Sequence, residues 1–277
     1  MKHLLCFGFG FSAKALSQRL GAKEWRITGT SRSAEGAEVI QALGFDGIIF
    51  DELKSIPESV THIVSSVPPS DQGDPILLRF GGELAKRAKY LDWVGYLSTT
   101  GVYGDRGGAM VDEDSNLQPN TDRGQRRVSA EAAWVAIPNL PLHIFRLAGI
   151  YGPGRNALES VKSGKAQRVI KARQIFSRIH VEDIAGVLLA SIKNPNPGRI
   201  YNLADNEACP PQDVIAYAAE LLGVSPPPEI AFEDAKLSAM AKSFYADSKR
   251  VSNARIKSEL GYELRFPNYR IGLQSLL

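Results

Sequence analysis

The sequence predicts an α/β protein built on a doubly wound parallel sheet. Strand-like apolar runs alternate with helix-like segments from the first residues onward, which is the pattern of consecutive βαβ units. A glycine-rich turn stands between the first strand and the first helix, where such folds bind phosphate groups. The length of 277 residues is enough for one large domain of this class, or for one domain with a small appendage.

The first strand and the turn after it organise the rest of the chain. Residues 4–7 form a continuous apolar run, as expected for a strand that is buried on both faces. The run continues into Gly8-Phe9-Gly10-Phe11-Ser12-Ala13, which fits the pattern G-x-G-x-x-G/A. In that pattern the first glycine permits a tight turn and the second lets the backbone approach a pyrophosphate. The third small residue lets helix and strand pack closely.

The helix after this turn strengthens the prediction of a dinucleotide site. Its N-terminus presents free N–H groups and the positive end of the helix dipole to the phosphates. The alternative is a plain strand–turn–helix in which the glycines serve packing alone. The residues predicted to bind the cofactor are Gly8, Gly10, Phe11, Ser12 and Ala13.

The second strand bears on the choice of cofactor. It covers residues 25–29 and runs into Thr30-Ser31-Arg32-Ser33. A site for NAD usually has an acidic residue about 20 positions after the glycines, and none occurs between residues 28 and 33. A carboxylate would repel a 2′-phosphate, whereas a guanidinium binds one through two hydrogen bonds. Ser31 and Arg32 therefore predict NADP rather than NAD, and the alternative is a surface arginine without a ligand.

The next two strands add residues to the predicted cofactor site. A third strand at residues 47–50 ends at Asp51, which is expected to accept a hydrogen bond from the adenine amino group. A fourth strand at residues 61–66 runs into Val67-Pro68-Pro69, where a cofactor crosses the sheet in this fold. Ser66 and Val67 are therefore predicted to contact the cofactor.

The remaining elements continue the alternation. A helix is predicted where Ile76, Phe80, Leu84 and Ala88 recur at helical spacing. Further strands are expected at residues 93–98, 142–146, 174–177 and 199–203, and helical segments at 156–163, 183–192 and 210–222. The last of these segments opens on two prolines and stops at Gly223, which is a common helix terminator.

Composition and charge exclude several classes of function. The formal net charge of +3 is too small to indicate binding to nucleic acid or to a membrane surface. No apolar run approaches the roughly 18 residues of a membrane-spanning helix, and the N-terminus is too short for a signal-peptide core. The two cysteines, Cys6 and Cys209, lack metal-ligand spacing and are expected to be free thiols in a reducing cytosol. The expectation is a cytoplasmic protein without a bound metal.

Several short motifs carry a more specific signal. They are Ser98-Thr99-Thr100-Gly101-Val102-Tyr103-Gly104 and the segments at residues 146–154, 178–185, 201–204 and 255–262. Together with the glycine turn, and in this order, they make the chain resemble an atypical extended short-chain dehydrogenase/reductase of the NAD-dependent epimerase/dehydratase type. The resemblance implies a Rossmann-type sheet of about seven strands. It also implies a single domain, residues 1–277, with a small substrate lobe formed mainly by residues 155–176 and 206–277.

The resemblance further implies which residues stand at the catalytic positions. Thr99 holds the position of the Ser or Thr that orients a substrate carbonyl or alcohol. The family's tyrosine base and its lysine fall on Arg123 and Arg127, counted back from Ala130-Glu131. Arginine keeps its proton in proteins, so Arg123 is not a general base. Arg127 is still expected to hold the ribose hydroxyls of the cofactor.

Two interpretations of these arginines remain open. In one, Arg123 and Arg127 face the nicotinamide with an anion between them, which indicates a substrate with a carboxylate or a phosphate. In the other, they belong to a solvated basic helix face, tied by an Arg127–Glu131 pair worth roughly a few tenths of a kcal/mol. Tyr103 is a candidate replacement base, although that tyrosine is usually structural in the family.

Three further positions refine the expectation. Gly149 stands where many sugar-nucleotide enzymes of the family have an asparagine, which argues against a nucleotide-sugar substrate. His180 is expected to be structural. Asp183 is expected to be the N-cap of the following helix.

The sequence therefore favours an NADP(H)-binding oxidoreductase or epimerase-like enzyme that acts on a small, anionic carbonyl or alcohol compound. Its expected partners are that substrate and a second copy of the chain in a homodimer. The alternative is a non-catalytic NAD(P)-binding redox sensor that has kept the fold and lost the base. Loss of the Tyr-x-x-x-Lys pair favours the sensor, whereas Thr99 and the retained C-terminal motifs favour the enzyme.

Replacing Arg32 tests the predicted preference for NADP. If its guanidinium binds the 2′-phosphate, Arg32→Ala should weaken NADPH binding by about 1.5–3 kcal/mol, the size of a charge-assisted hydrogen bond. NADH binding should be nearly unchanged. Isothermal titration calorimetry with both cofactors measures the two losses, and equal losses would show that Arg32 does not read the phosphate.

Overall fold

The computed structural model describes residues 1–21 and 23–277, with side chains at all of these except 239 and 240. The chain divides into two compact units, each assembled from three separate stretches. The first unit contains Met1–Thr99, Arg126–Arg146 and Ile184–Tyr201, and the second contains Thr100–Gln125, Leu147–Asp183 and Asn202–Leu277. The second unit includes both ranges expected for the substrate lobe, and in addition residues 100–125, 147–154, 177–183 and 202–205.

Strands and helices alternate along the chain. The strands are β1 (Lys2–Phe7), β2 (Trp25–Ser31), β3 (Asp46–Ile49), β4 (His62–Ser65), β5 (Trp93–Thr99), β6 (Met110–Val111), β7 (Leu142–Leu147), β8 (Gly149–Tyr151), β9 (Arg168–Ile170), β10 (Arg178–His180), β11 (Ile200–Leu203), β12 (Glu229–Ala231) and β13 (Arg250–Val251). The α-helices are α1 (Phe11–Arg19), α2 (Ala34–Ala42), α3 (Pro75–Arg87), α4 (Asp122–Val135), α5 (Ala157–Lys162), α6 (Val181–Lys193), α7 (Pro211–Leu221), α8 (Ala239–Phe244), α9 (Ala254–Leu260) and α10 (Tyr269–Gln274).

A seven-stranded sheet is the frame of the first unit. Its strand order is β11-β7-β5-β4-β1-β2-β3, and β1 pairs in parallel with both β2 and β4. The pairs of β2 with β3 and of β4 with β5 are parallel as well. In a doubly wound sheet of this kind, ligands bind outside the carboxyl ends of the strands where the strand order reverses, here between β1 and β4. The predicted fold class and the expected number of strands are confirmed.

The apolar runs of the sequence become the buried faces of this sheet. α3 covers one face with Ile76, Phe80 and Leu84, which repeat every four residues and are all buried. Each of these side chains contributes about 1.5–3 kcal/mol when it is removed from water. The helix starts after Asp74, whose carboxylate accepts hydrogen bonds from two backbone N–H groups of the first turn. The predicted helix is therefore confirmed, with Ala88 just beyond its end.

Short parallel strand pairs and small helices make up the second unit. The pairs are β8 with β10, β9 with β12 and β6 with β13. His180 at the end of β10 is buried against the rings of Tyr151 and Phe266, as expected for a structural histidine. Helices α5, α7 and α10 share a core formed by Leu158, Cys209, Val214, Ala218, Tyr269 and Leu273.

One strand of the second unit lies later than predicted. Residues 174–177 were expected to form it, but the strand is β10, and Phe176 makes only an isolated bridge with Cys209. Arg173 has a φ of 59°, in the left-handed region, at the end of the turn that precedes this segment. Backbone in that conformation does not continue a strand, so regular pairing begins only after the turn.

The predicted N-cap role of Asp183 is wrong. Helix α6 begins at Val181, which places Asp183 inside the first helical turn. Its buried carboxylate accepts hydrogen bonds from the hydroxyl of Tyr262 (2.9 Å) and from the backbone N–H groups of Arg265 (2.8 Å) and Phe266 (3.0 Å). The residue therefore binds a distant segment of the same unit instead of its own helix, a role that local spacing does not reveal.

Both cysteines are buried free thiols, as predicted. Burial raises the pKa of Cys6 to about 12 and that of Cys209 to about 11. At neutral pH both thiols are therefore protonated and poor nucleophiles. Within the described residues, no helix is both long and apolar enough to cross a bilayer. The same residues contain no group of three His, Cys, Asp or Glu side chains placed to hold a metal ion.

Two buried histidines of the first unit predict loss of stability in mild acid. Burial lowers the pKa of both His62 and His143 to about 4, from an ordinary value of 6.5. Between pH 6.5 and 4 the unfolded chain therefore binds protons that the folded chain does not, and the free energy of unfolding decreases as the pH falls. The loss should reach about 3 kcal/mol per histidine. Urea denaturation from pH 7.5 to 4.5 measures it, and His62→Gln should show a shallower pH dependence. A flat profile would contradict the prediction.

Candidate functional site

The glycine turn follows β1 at the carboxyl edge of the sheet in the first unit. Gly8 has a φ of +78°, which glycine adopts without steric cost, and its carbonyl accepts a hydrogen bond from the N–H of Gly10 (2.9 Å). A Cβ at Gly8 would lie 3.0 Å from Cγ2 of Val67 and 3.1 Å from Oγ of Ser66. The ends of β1 and β4 thus bring these predicted cofactor residues together, because the two strands are neighbours in the sheet.

The first turn of α1 has the chemistry of an anion site. Its N-cap is Gly10, which offers no side chain to the first N–H groups, and the turn carries no acidic residue. A Cβ at Gly10 would meet no atom within 4 Å, so the space at this position is open. Phe11, Ser12 and Ala13 form the turn, whose N–H groups and dipole favour a bound phosphate. These residues therefore fit the pyrophosphate of a dinucleotide.

Thr30 bonds the glycine turn, and the sequence did not single it out. It lies in β2 next to β1, it is only 2% exposed, and its Oγ1 accepts a hydrogen bond from the N–H of Gly8 (2.9 Å). Its carbonyl accepts another from the N–H of Phe9 (3.0 Å). The hydroxyl of Thr30 is therefore turned inward, toward the glycines. The two-residue alternation of a strand gives this direction once the register with β1 is known.

The residues after Thr30 are more exposed than Thr30 itself. Ser31 is partly exposed and Arg32 is exposed, with no ion pair to the part of the chain that the structure describes. Ser33 caps α2 by accepting a hydrogen bond from the N–H of Gly36 (3.2 Å). Glu35 lies in the same first turn, where hydrogen bonds from the backbone and from the Ser33 hydroxyl lower the pKa of its carboxyl. An ionised acid therefore stands close in sequence to Arg32, beyond the residues in which the acid of an NAD site was sought.

Asp51 lies in a short 3-10 turn, Phe50–Glu52, that follows β3. The predicted strand was one residue longer at this end, and the chain turns at Phe50 instead. The carboxylate is 87% exposed and stands 3.4 Å from the guanidinium of Arg79. Its contact with an adenine stays a prediction.

A buried ion pair lies behind the end of β5. Thr99 is the last residue of this strand and is partly exposed, whereas Ser98 is buried and donates a hydrogen bond to Glu131 (2.5 Å). The carboxylate of Glu131 is also bound by the guanidinium of Arg146 at 2.8 Å. The expected pair of Glu131 with Arg127 is therefore wrong, because the strand β7 brings a different arginine to this carboxylate.

Arg127 is buried in the first unit instead of forming part of a solvated face. It is 7% exposed, and its Nη1 donates to the hydroxyl of Tyr96 (3.0 Å) and to the carbonyl of Leu97 (2.9 Å). Its Nε and Nη2 have no hydrogen-bond partner among the described residues. Burial raises the pKa of Tyr96 to about 12, so this tyrosine stays neutral beside the guanidinium. The interpretation of this helix face as solvated is thus wrong for Arg127, and two of the donors of its guanidinium remain available to a ligand.

Tyr103 and Arg123 belong to the second unit. Tyr103 is fully buried, and its hydroxyl donates to Oδ1 of Asn202 (2.7 Å). This position favours the structural role over that of a base. Arg123 is exposed, and its guanidinium lies 5.7 Å from the ring centroid of Phe244. Its role in binding an anion stays a prediction.

Comparison with known proteins finds similarity over the whole chain. No protein-family model matches. The chain is 27% identical to protein YeeZ of Escherichia coli K12, over 283 aligned residues and 97% of each chain. A structure of a conserved protein of unknown function from Silicibacter pomeroyi is 52% identical, with a TM-score of 0.96 and coverage of 100% of this chain and 98% of that one. A putative NAD-dependent epimerase/dehydratase from Methylobacillus flagellatus is 27% identical, with a TM-score of 0.76 and coverage of 99% and 97%.

Two solved structures of lower identity have the same fold and contain a cofactor. The human epimerase family protein SDR39U1, solved with NADPH, is 20% identical, with a TM-score of 0.77 and coverage of 99% of this chain and 98% of that one. The dTDP-glucose 4,6-dehydratase of Bacillus anthracis, solved with NAD, is 18% identical, with a TM-score of 0.78 and coverage of 100% and 95%.

Breaking the buried pair of Arg146 and Glu131 tests how much it stabilises the first unit. Arg146→Met should lower the free energy of unfolding by about 3–5 kcal/mol, because it leaves the charge of Glu131 buried without its partner. The control is Arg126→Met, which removes a surface pair with Asp71 (2.8 Å) and should cost at most about 1 kcal/mol. Urea denaturation measures both losses. Similar losses for the two variants would show that burial adds nothing to the pair.

Proposed function

Since the chain belongs to the extended short-chain dehydrogenases/reductases of the NAD-dependent epimerase/dehydratase type, we propose that it is a nicotinamide-dependent oxidoreductase or epimerase-like enzyme. It prefers NADP(H) and acts on a small, anionic carbonyl or alcohol compound. The observation that carries this proposal is the first turn of α1, where uncapped N–H groups meet an open position at Gly10. That arrangement matches the chemistry of a pyrophosphate.

Proteins of the same fold support a nicotinamide dinucleotide as the cofactor class. The human epimerase family protein was solved with NADPH and the Bacillus anthracis dehydratase with NAD, so the fold accommodates both. The preference for NADP(H) depends on Arg32, which is exposed and carries a full charge. Glu35 opposes it, since its carboxylate is ionised in the adjacent helical turn and repels a 2′-phosphate. Arg32 is the stronger determinant, because a guanidinium can bind a phosphate directly through two hydrogen bonds, whereas Glu35 acts through solvent.

Arg127 supports an anionic or hydroxyl-rich ligand. Its Nη1 is held by Tyr96 and Leu97, so Nε and Nη2 are the donors left for a ligand. These two N–H groups are parallel and fit a carboxylate, a phosphate or a pair of ribose hydroxyls. Because arginine does not lose its proton, this residue binds and orients but does not act as a base. Thr99, at the end of β5, offers a hydroxyl to a substrate oxygen, and a bound nicotinamide supplies or accepts the hydride.

A second candidate function is a redox sensor that binds the cofactor without catalysis. Two observations favour it. Arg123 replaces the family's base, and the hydroxyl of Tyr103 is already committed to Asn202. A sensor needs the glycine turn and the residues around it but no proton-transfer group, so it predicts the same cofactor binding without turnover.

Turnover with a panel of substrates separates the two candidates. The panel contains carboxylated and phosphorylated aldehydes and ketones, each with a neutral analogue, and NADPH oxidation is followed by absorbance. The enzyme should turn over at least one anionic member and prefer it to its analogue. Arg127→Met should lower kcat/KM for that member by about tenfold to a hundredfold, the effect of losing a charge-assisted hydrogen bond. Arg127→Lys should keep more of the activity, because the positive charge remains.

Two control variants make this test specific. Arg126→Met changes the neighbouring residue, which lies on the surface, and should leave kcat/KM within about twofold, as expected for an exposed side chain. Arg123→Ala examines the other arginine, and an unchanged kcat/KM would rule out its part in anion binding. No turnover with any member, together with intact NADPH affinity, would support the sensor instead. Absence of both NADPH and NADH binding would refute both candidates.

A further inference from the structure

The backbone of Gly8 is held by hydroxyl groups at both its N–H and its carbonyl. On one side, Oγ1 of Thr30 accepts a hydrogen bond from the N–H of Gly8 at 2.9 Å. On the other side, Oγ of Ser66 donates to the carbonyl of Gly8 at 2.6 Å. We name these two residues, Thr30 and Ser66, the hydroxyl clamp. They come from the ends of the two strands that flank β1.

Each residue of the clamp is itself fixed to the backbone of β1 or its turn. Thr30 Oγ1 also lies within reach of the carbonyl of Cys6 (3.4 Å), and the Thr30 carbonyl accepts from the N–H of Phe9 (3.0 Å). The N–H of Ser66 donates to the carbonyl of Phe7 at 3.0 Å. Backbone hydrogen bonds therefore tie both residues of the clamp to the residues on either side of Gly8, Phe9 for Thr30 and Phe7 for Ser66.

A glycine turn needs such an anchor because glycine restricts its own backbone very little. Gly8 has the left-handed φ of +78°, and without a side chain it also reaches other regions at little cost. If the backbone of Gly8 rotated, a carbonyl oxygen would point toward the position in which the N–H groups of the following residues bind a phosphate. Ordering the turn only when the cofactor arrives would reduce the affinity, whereas a turn fixed in advance avoids that loss.

We infer that the hydroxyl clamp fixes the backbone of Gly8 in the conformation that binds a pyrophosphate, and that it thereby sets the affinity for the dinucleotide. The inference rests on the proposed function, since it assumes a dinucleotide at this turn. Thr30 and Ser66 act as positioning residues: they hold the backbone that binds the cofactor. The hydroxyl of Thr30 is consequently unavailable to the ribose, and recognition of the 2′ position falls to Ser31 and Arg32.

The test compares a whole cofactor with a fragment of it. Thr30→Val removes the hydroxyl and keeps the branched shape of the side chain. It should weaken NADPH binding about fivefold to tenfold, the effect of one hydrogen bond. Adenosine 2′-monophosphate has no phosphate at its 5′ position and does not reach the turn, so its affinity should change by less than about twofold. Thr30→Ser restores the hydroxyl and should recover most of the NADPH affinity. Calorimetry measures both ligands on each variant.

Thr28→Val is the matched control. Thr28 lies two residues earlier in the same strand and is also buried, but its hydroxyl bonds Nε2 of His3 (2.8 Å) instead of the turn. Its loss should lower stability and leave both affinities within about twofold of the wild type, since it does not touch the turn. Ser66→Ala should resemble Thr30→Val. The double variant should weaken NADPH binding by less than the product of the two single effects, because both hydroxyls hold the backbone of the same residue, Gly8.

Hydrogen exchange of the Gly8 amide provides a readout that needs no cofactor. In Thr30→Val this amide should exchange faster than in the wild type and in Thr28→Val. Unchanged exchange, unchanged NADPH affinity, or equal weakening of NADPH and the fragment would each overturn the inference. If the wild type binds neither NADPH nor NADH, the proposed function and the positioning role fail together. NADPH binding that Thr30→Val leaves intact would overturn the positioning role alone.

Discussion

The parallel pairing of β1 with β4 on one side and with β2 on the other is the constraint on which the candidate site depends. In this register Phe7 lies opposite Ser65, and Cys6 lies opposite Gly29. The residues that follow these pairs therefore meet at one edge of the sheet, where the glycine turn, Thr30 and Ser66 form their hydrogen bonds. A shift of β2 by one residue would turn Thr30 to the opposite face and leave the N–H of Gly8 without its acceptor.

Two buried charges of helix α4, on Arg127 and Glu131, do not pair with each other although they are neighbours on the helix. Glu131 is one helical turn from Arg127, yet it binds Arg146 and Ser98. Arg127 is thereby free to bond a tyrosine hydroxyl and a backbone carbonyl. Arginine tolerates this burial with its charge intact, because its guanidinium keeps its proton in proteins.

The sequence was sufficient for features that depend on local pattern, and less so for features that depend on tertiary contacts. The apolar runs predicted the strands of the main sheet, and the G-x-G-x-x-A pattern predicted the turn and the start of α1. The N-cap role of Asp183 was wrong because distant backbone groups compete for its carboxylate. The inward direction of Thr30 was missed because it depends on the register of β2 with β1, which local residue patterns do not encode.

The different burial of Thr30 and Arg32 has an evolutionary consequence. In the proposed site, the buried threonine supports the affinity for the nucleotide, whereas the exposed arginine, with Glu35 nearby, is proposed to select between NADP and NAD. Substitutions at exposed positions usually change stability by no more than about 0.5 kcal/mol. If Arg32 selects the cofactor as proposed, a lineage carrying this fold would change between anabolic and catabolic redox pools by surface substitutions alone, while the interior that supports binding would stay under separate selection.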